Sequence, residues 1–154
     1  MTLLNKRYSI RIAHAAVLMI VAVLLSHLML TSCEYSDSDK AEKCAKAFAQ
    51  DYFNLRYKHA LTYCAPESEK WIRFRASNIT SDDLAVLDAQ SDSAISEINS
   101  SSINGNKAIV NMSVSNFLKC DSIGKPGYMC NEGHFEIFLK KEGEDWRVVM
   151  NSPL

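Results

Sequence analysis

The chain has 154 residues, 47% hydrophobic and 23% charged, with a formal net charge of −1. These values suit about one globular domain and exclude collagen-like, coiled-coil and highly charged disordered classes. The charge is unevenly spread. Residues 1–32 hold three basic residues, Lys6, Arg7 and Arg11, and no acid, so residues 33–154 carry 14 Lys and Arg against 18 Asp and Glu, a net −4. A mildly acidic domain repels a phosphate backbone, so no nucleic-acid partner is expected.

After the basic start, Ile12 to Leu30 contains 16 apolar residues and no Asp, Glu, Lys or Arg, and Thr31-Ser32-Cys33 follows. A basic region, an apolar run and small residues before a cleavage point make an export signal. Leu30-Thr31-Ser32-Cys33 resembles a bacterial lipobox. The resemblance implies lipidation of Cys33, cleavage before it, and the membrane as a partner through that lipid. An uncleaved anchor is the alternative, since this run is long enough to span a bilayer. Such an anchor has no need of a cysteine directly after it. Two or three acyl chains hold a protein stably, at about 0.8 kcal/mol per buried methylene. The expected division is 1–32 signal peptide, 33–39 lipidated cysteine and acidic tether, and 40–154 a single domain. In some Gram-negative bacteria Asp after the lipidated cysteine retains a lipoprotein in the inner membrane. Here that position is Glu34, which points to the outer membrane of a bacterial cell envelope.

All five glycines fall after residue 104, which predicts a helical front and a turn-rich back. Ala41, Cys44, Ala45, Phe48, Tyr52 and Leu55 recur at helical spacing, predicting a helix over 39–56 capped by Asp37 or Asp39. A second helix is expected over 57–64. A third starts at Pro66, with Trp71 and Phe74 on one side and Lys70, Arg73 and Arg75 on another. A fourth is expected over 81–89, capped by Ser81. The period then changes to two. Strands are expected near 93–102, over 108–115, around Phe135, Ile137 and Leu139, and from Trp146 to Met150, with Asn104-Gly105-Asn106 and residues 142–145 as turns. The reading is α+β: N-terminal helices packed on a curved four-stranded antiparallel sheet.

Ala47-Phe48 through Tyr52-Phe53-Asn54, Tyr57 to Cys64, and Glu144-Asp145-Trp146-Arg147-Val148 are similar to parts of nuclear-transport-factor-like (cystatin-like α+β) domains, which small bacterial lipoproteins of unknown function often carry. The likeness covers roughly residues 40–152. It implies a cone of helices around a bent sheet with a pocket, a ligand or an envelope protein as partner, and admits a dimer. Some members of that group are enzymes; many are binding or accessory modules.

Four cysteines remain after Cys33. An even count outside the cytoplasm suggests two disulfides, with three pairings open. Cys44 and Cys64 are equidistant from Asn54, so a helical hairpin turning there would set them opposite each other. Cys120 and Cys130 bracket a loop between strands. Buried free thiols are the alternative, and no Cys-x-x-Cys pair calls for zinc.

Of the histidines only His59 and His134 lie beyond residue 33. No zincin, nucleophile-elbow or phosphate-loop motif is present, so no catalytic residue, metal or cofactor is expected. His134 and Glu136 alternate with Phe135 and Ile137, so both face away from the apolar side, toward a pocket or toward water. The favoured function is an envelope lipoprotein with a small non-catalytic ligand- or partner-binding domain. The alternative is a pocket enzyme using His134 and Glu136 as acid-base groups. A deep pocket with converging polar groups would favour the enzyme, and a filled cone the binding module.

Overall fold

The computed structural model describes residues 36–90, 92–121 and 124–154. The signal segment, Cys33 and the first residues of the expected tether lie outside the described residues. Residue contacts divide the chain into Met1–Glu34 and Tyr35–Leu154. All core side chains of the described residues, from Ala41 to Leu154, belong to the second unit.

Helix α1 spans Asp37–Phe53. It starts inside the stretch expected to be tether, because Ser36, not Asp37 or Asp39, is its cap. The Ser36 hydroxyl accepts from the Asp39 N–H at 3.2 Å, and the Asp39 carboxylate accepts from the Ser36 N–H at 3.1 Å. This reciprocal box satisfies two N–H groups that a helix start otherwise leaves unpaired. One stripe of the helix is buried: Ala41, Ala45, Phe48, Ala49, Tyr52 and Phe53. The helix ends with Arg56 N–H bonded to Asp51 C=O at 2.8 Å and Leu55 N–H to Tyr52 C=O at 3.1 Å. Leu55 takes the left-handed position of this motif, φ 56°, where glycine is usual.

Helix α2, Tyr57–Ala60, continues as a 3₁₀ turn over Leu61–Tyr63. It is shorter than expected because Cys64 is already extended and bridges Val148. Pro66–Ser68 is a second 3₁₀ turn, and helix α3 runs over Glu69–Ser77. Buried Ser68 donates to Val148 C=O at 3.1 Å and accepts from Met150 N–H at 2.9 Å, tying this turn to the chain's end. Helix α4, Ser81–Asp88, is capped by Thr80 rather than Ser81, again in a reciprocal box, with Asp83.

The strands are β1 Ile95–Asn104, β2 Lys107–Lys119, β3 Tyr128–Glu142 and β4 Asp145–Val148. They form an open antiparallel meander in the order β1-β2-β3-β4. Gly105, at φ 60°, starts the two-residue turn that sets Asn104 opposite Lys107. The inner face carries Ala108, Val110, Met112, Val114, Ile137 and Leu139, all buried, with Trp146 and Val148 from β4. α1 lies against this face, so the fold class is α+β, as expected.

β2 and β3 are longer than expected, and a single residue accounts for how β2 continues. Asn116 has φ 56°, and the pairing passes from Ser115↔Glu132 to Phe117↔Cys130 around it. Strict alternation from Val114 would turn Phe117 outward. The left-handed residue turns it inward, to 4% exposure. Asparagine tolerates this conformation, whereas a β-branched residue does not. Asn116→Val is expected to cost about 1–2 kcal/mol, and Asn116→Gly to leave stability unchanged or raised; urea unfolding of residues 35–154, a unit that holds its own core, measures both.

Candidate functional site

Where α1 ends and β2 passes Asn116, helices and sheet part around a cavity of about 630 Å³ that opens to solvent. This volume is typical of small-molecule sites. Its floor is aromatic. The Phe53 and Phe135 rings lie 4.6 Å apart, and Phe117 sits 5.4 Å from each. Gly133 on β3 makes room for them: a Cβ there would come within 2.8 Å of the Phe117 ring and 3.0 Å of Phe135. Tyr52 continues this floor, its ring 5.2 Å from Phe53 and 5.6 Å from Tyr57, and Leu55, Phe74 and Arg75 complete the wall beside it.

α3 supplies Phe74 and Arg75, but not in the way its sequence suggests. Ile72 is the residue this helix buries, at 1% exposure, while Phe74 stays 43% exposed. Residues three apart share a helix face, so the Ile72 face carries Arg75 inward with it. Arg75 is a site residue that sequence reasoning placed on the charged side; the Ile72–Arg75 spacing was the signal available.

The guanidinium has no carboxylate in an ion pair with it among the described residues; Tyr52, Tyr57 and Cys120 lie beside it. Its Nη2 donates to Leu118 C=O at 3.4 Å, and its Nε is buried with no hydrogen-bond partner. The Tyr57 hydroxyl, whose ionisation the same guanidinium influences, is also buried without a partner. Burial pushes the Tyr57 phenol well above its ordinary range and raises that of Tyr52. Both stay protonated at neutral pH and act as hydrogen-bond donors. Tyr52 is engaged with the Leu154 main chain, accepting from its N–H at 3.1 Å.

Asp83 lies behind the cavity lining, near Arg75 and Cys120. It is 1% exposed and accepts from Gly127 N–H at 2.6 Å, Thr80 N–H at 2.8 Å and Thr80 Oγ1 at 2.9 Å. It thereby fastens the β2–β3 connection to α4. Burial opposes its charge, but the hydrogen bonds from Thr80 and Gly127, aided by Arg75, outweigh burial and hold the carboxyl below its usual range. At the rim, Lys119 pairs with Asp121 at 3.3 Å, and Tyr128 donates to Asp121 at 2.8 Å. Lys125 and Glu132 border the same opening.

The structure separates His134 and Glu136 rather than joining them. Both are exposed and alternate with inward-facing Gly133, Phe135 and Ile137. His134 touches the rim of the large cavity, while its Nδ1 lies 3.1 Å from Ser113 Oγ on the neighbouring strand. Glu136 borders a different, shallow hollow of about 90 Å³. The cone is open rather than filled, but the polar groups that converge in it are Arg75 and Tyr57, not these two.

The four cysteines are unbonded in this structure. Cys44 Sγ donates to Trp146 C=O at 3.1 Å and lies 3.8 Å from Tyr63 C=O, next to Cys64 in the chain. Burial pushes the Cys44 thiol up to about 11 and the Cys64 thiol up to about 12, the latter raised further by Cys44. The 120–130 pair is not brought together. Cys130 pairs with Phe117, so Cys120 lies three residues further along the hairpin. That is about 10 Å, beyond the roughly 7 Å a disulfide spans between Cα atoms.

No protein-family model and no curated protein matches the chain. Among solved structures it is similar to a Campylobacter jejuni protein provisionally named an NTF2-like transpeptidase, at 18% identity and a TM-score of 0.46, over 71% of this chain and 97% of that one. Fold and site together define an α+β domain with an open aromatic cavity.

The folded-state pKa of Asp83 is lowered, so its contribution to stability is present above the unfolded value of roughly 4 and is lost as pH falls through the folded value. Asp83→Asn is expected to cost about 2–3 kcal/mol at pH 7, the range for hydrogen bonds to a charged group. The variant should also lose part of the acid-induced fall in stability below about pH 4, read from denaturant midpoints across pH.

Proposed function

We propose that the protein is an envelope lipoprotein, anchored through Cys33 and delivered to the outer membrane, whose α+β domain binds a small ligand without transforming it. The observation that carries the binding reading is the cavity itself: about 630 Å³, floored by Phe53, Phe117 and Phe135, with buried donors at one wall. Acid-base catalysis needs a group that exchanges protons near neutral pH. The converging groups are an arginine, charged at any physiological pH, and phenols held protonated. The anchor is supported by Leu30-Thr31-Ser32-Cys33 after the apolar run. No helix among the described residues is long and apolar enough to cross a membrane, and a lipid anchor requires none.

Cys33→Ala is expected to abolish fatty-acid labelling of the full chain in cells; a variant that still labels and matures would overturn the anchor. For the cavity, residues 35–154 should bind the neutral probe N-phenyl-1-naphthylamine saturably at one site. Turnover of an ester, glycoside or phosphate that disappears in a His134→Ala, Glu136→Ala double variant would instead establish the enzyme reading.

We further propose that Cys44 and Cys64 are bridged in the exported protein, supported by their neighbouring positions beneath β4 and by the oxidising compartment. Non-reducing peptide mapping is expected to recover a 44–64 linked peptide, with Cys120 and Cys130 alkylatable. A 120–130 linked peptide would mean that the open end of the β2–β3 hairpin re-registers.

A further inference from the structure

Buried polar groups are normally hydrogen-bonded, and one left without a partner costs about 1–3 kcal/mol. The cavity wall holds two such groups on neighbouring side chains, Arg75 Nε and the Tyr57 hydroxyl. Each has a hydrogen to donate, and the groups beside the guanidinium that could accept one, the Tyr52 and Tyr57 oxygens and the Cys120 sulfur, carry no negative charge. The Cys120 sulfur also lies beside the guanidinium, its thiol hydrogen directed to Asp83 Oδ1 at 3.9 Å. The nearby buried carboxylate, Asp83, is occupied by Thr80 and Gly127, and no ion pair joins it to Arg75 among the described residues. Donors converging on a half-buried guanidinium lack one thing, an anionic oxygen, and arginine's planar fork suits a carboxylate or sulfonate.

The rest of the cavity says what such an anion must be attached to. Phe53, Phe117 and Phe135 meet at 4.6–5.4 Å and present ring faces and edges, with no second cation among them. A multiply charged phosphate compound would leave its remaining charges against these rings. A single anionic group on a flat or extended apolar body satisfies the floor and the wall at once.

Resting on the ligand-binding reading, we infer that the cavity takes an organic anion, a monocarboxylate or monosulfonate with an aromatic or acyl body, whose charged group sits between Arg75 and Tyr57. The rim adds no net charge, since Lys119 is paired with Asp121 and the lining holds one acid, Glu132, for the remaining Lys125.

Two probes that share a phenylamino-naphthalene body test it: 8-anilinonaphthalene-1-sulfonate, an anion, and N-phenyl-1-naphthylamine, which is neutral. The folded unit of residues 35–154 is expected to bind the anion at least tenfold more tightly. Arg75→Gln should erase that preference, weakening the anion at least tenfold more than the neutral probe. Tyr57→Phe should weaken the anion several-fold, and Arg75→Lys, which keeps charge without the fork, should fall between. Equal affinity for the two probes in the unaltered protein would overturn this inference and leave the ligand-binding reading standing. Absence of binding by either probe would overturn both. Equal loss of both probes in a folded Arg75→Gln would show that the arginine only props the wall. Loss of the preference in Lys119→Gln, Lys125→Gln instead would move the anion to the rim, and both results would overturn the assignment. If thermal melts show that Arg75→Gln does not fold, the probe ratio in the unaltered protein and the Tyr57→Phe variant decide.

Discussion

The fold depends on one stripe of α1 lying against the inner face of the sheet. Its N-terminal turns present Ala41 and Ala45, which have no bulk beyond a methyl group. Its C-terminal turns present Phe48, Tyr52 and Phe53. Small residues let helix and sheet close on each other, and large rings hold them apart. A packed half followed by an open half is the consequence. The cavity begins at Tyr52 and Phe53, the last residues of the stripe. The cavity and the core are thus consecutive parts of a single helix face.

Two left-handed residues finish the opening. Leu55 ends α1 in the position that reverses the chain, and Asn116 turns Phe117 inward where plain alternation would expose it. Neither is glycine, so each carries a local cost that the surrounding structure sustains, about 1–3 kcal/mol for a sparsely populated backbone conformation. Both border the cavity directly or through their neighbour. Gly133 contributes in the opposite way, by the side chain it lacks.

The donors at Arg75 and Tyr57 sit in the half of the molecule that the core does not fill. Their isolation follows from the way Asp83 is used. A carboxylate able to neutralise Arg75 is present, but Gly127 and Thr80 hold its oxygens in order to fasten the β2–β3 connection. Anchoring that connection and leaving an unmatched cation in the cavity are therefore the same arrangement.

Helix and strand order, the Gly105 hairpin and the α+β class were legible in the sequence because each depends on local period and turn chemistry. The apolar stripe of α1 repeats every three or four residues, and β2 alternates from Ala108 to Val114. Caps were less legible: Ser36 and Thr80 take that role from neighbouring Asp and Ser residues, since several adjacent side chains have the same capacity and only the final backbone path selects one. The site was not legible. His134 and Glu136 stood out by residue type, and their alternation with Phe135 and Ile137 already turned them from the apolar side; they lie exposed. Arg75 looked like a solvated charge beside aromatic residues. Its inward position depends on Ile72 being the residue that α3 buries, and that is decided by which neighbours the helix meets. The cysteines depend on tertiary structure too: Cys64 is extended and bridges Val148 rather than ending a helix, and the separation of Cys120 from Cys130 depends on the strand register. Sequence by itself determined the elements, because their causes lie within a few residues. Tertiary structure decided the cavity and its unpaired donors, because those depend on groups brought together from α1, α3 and the β2–β3 hairpin.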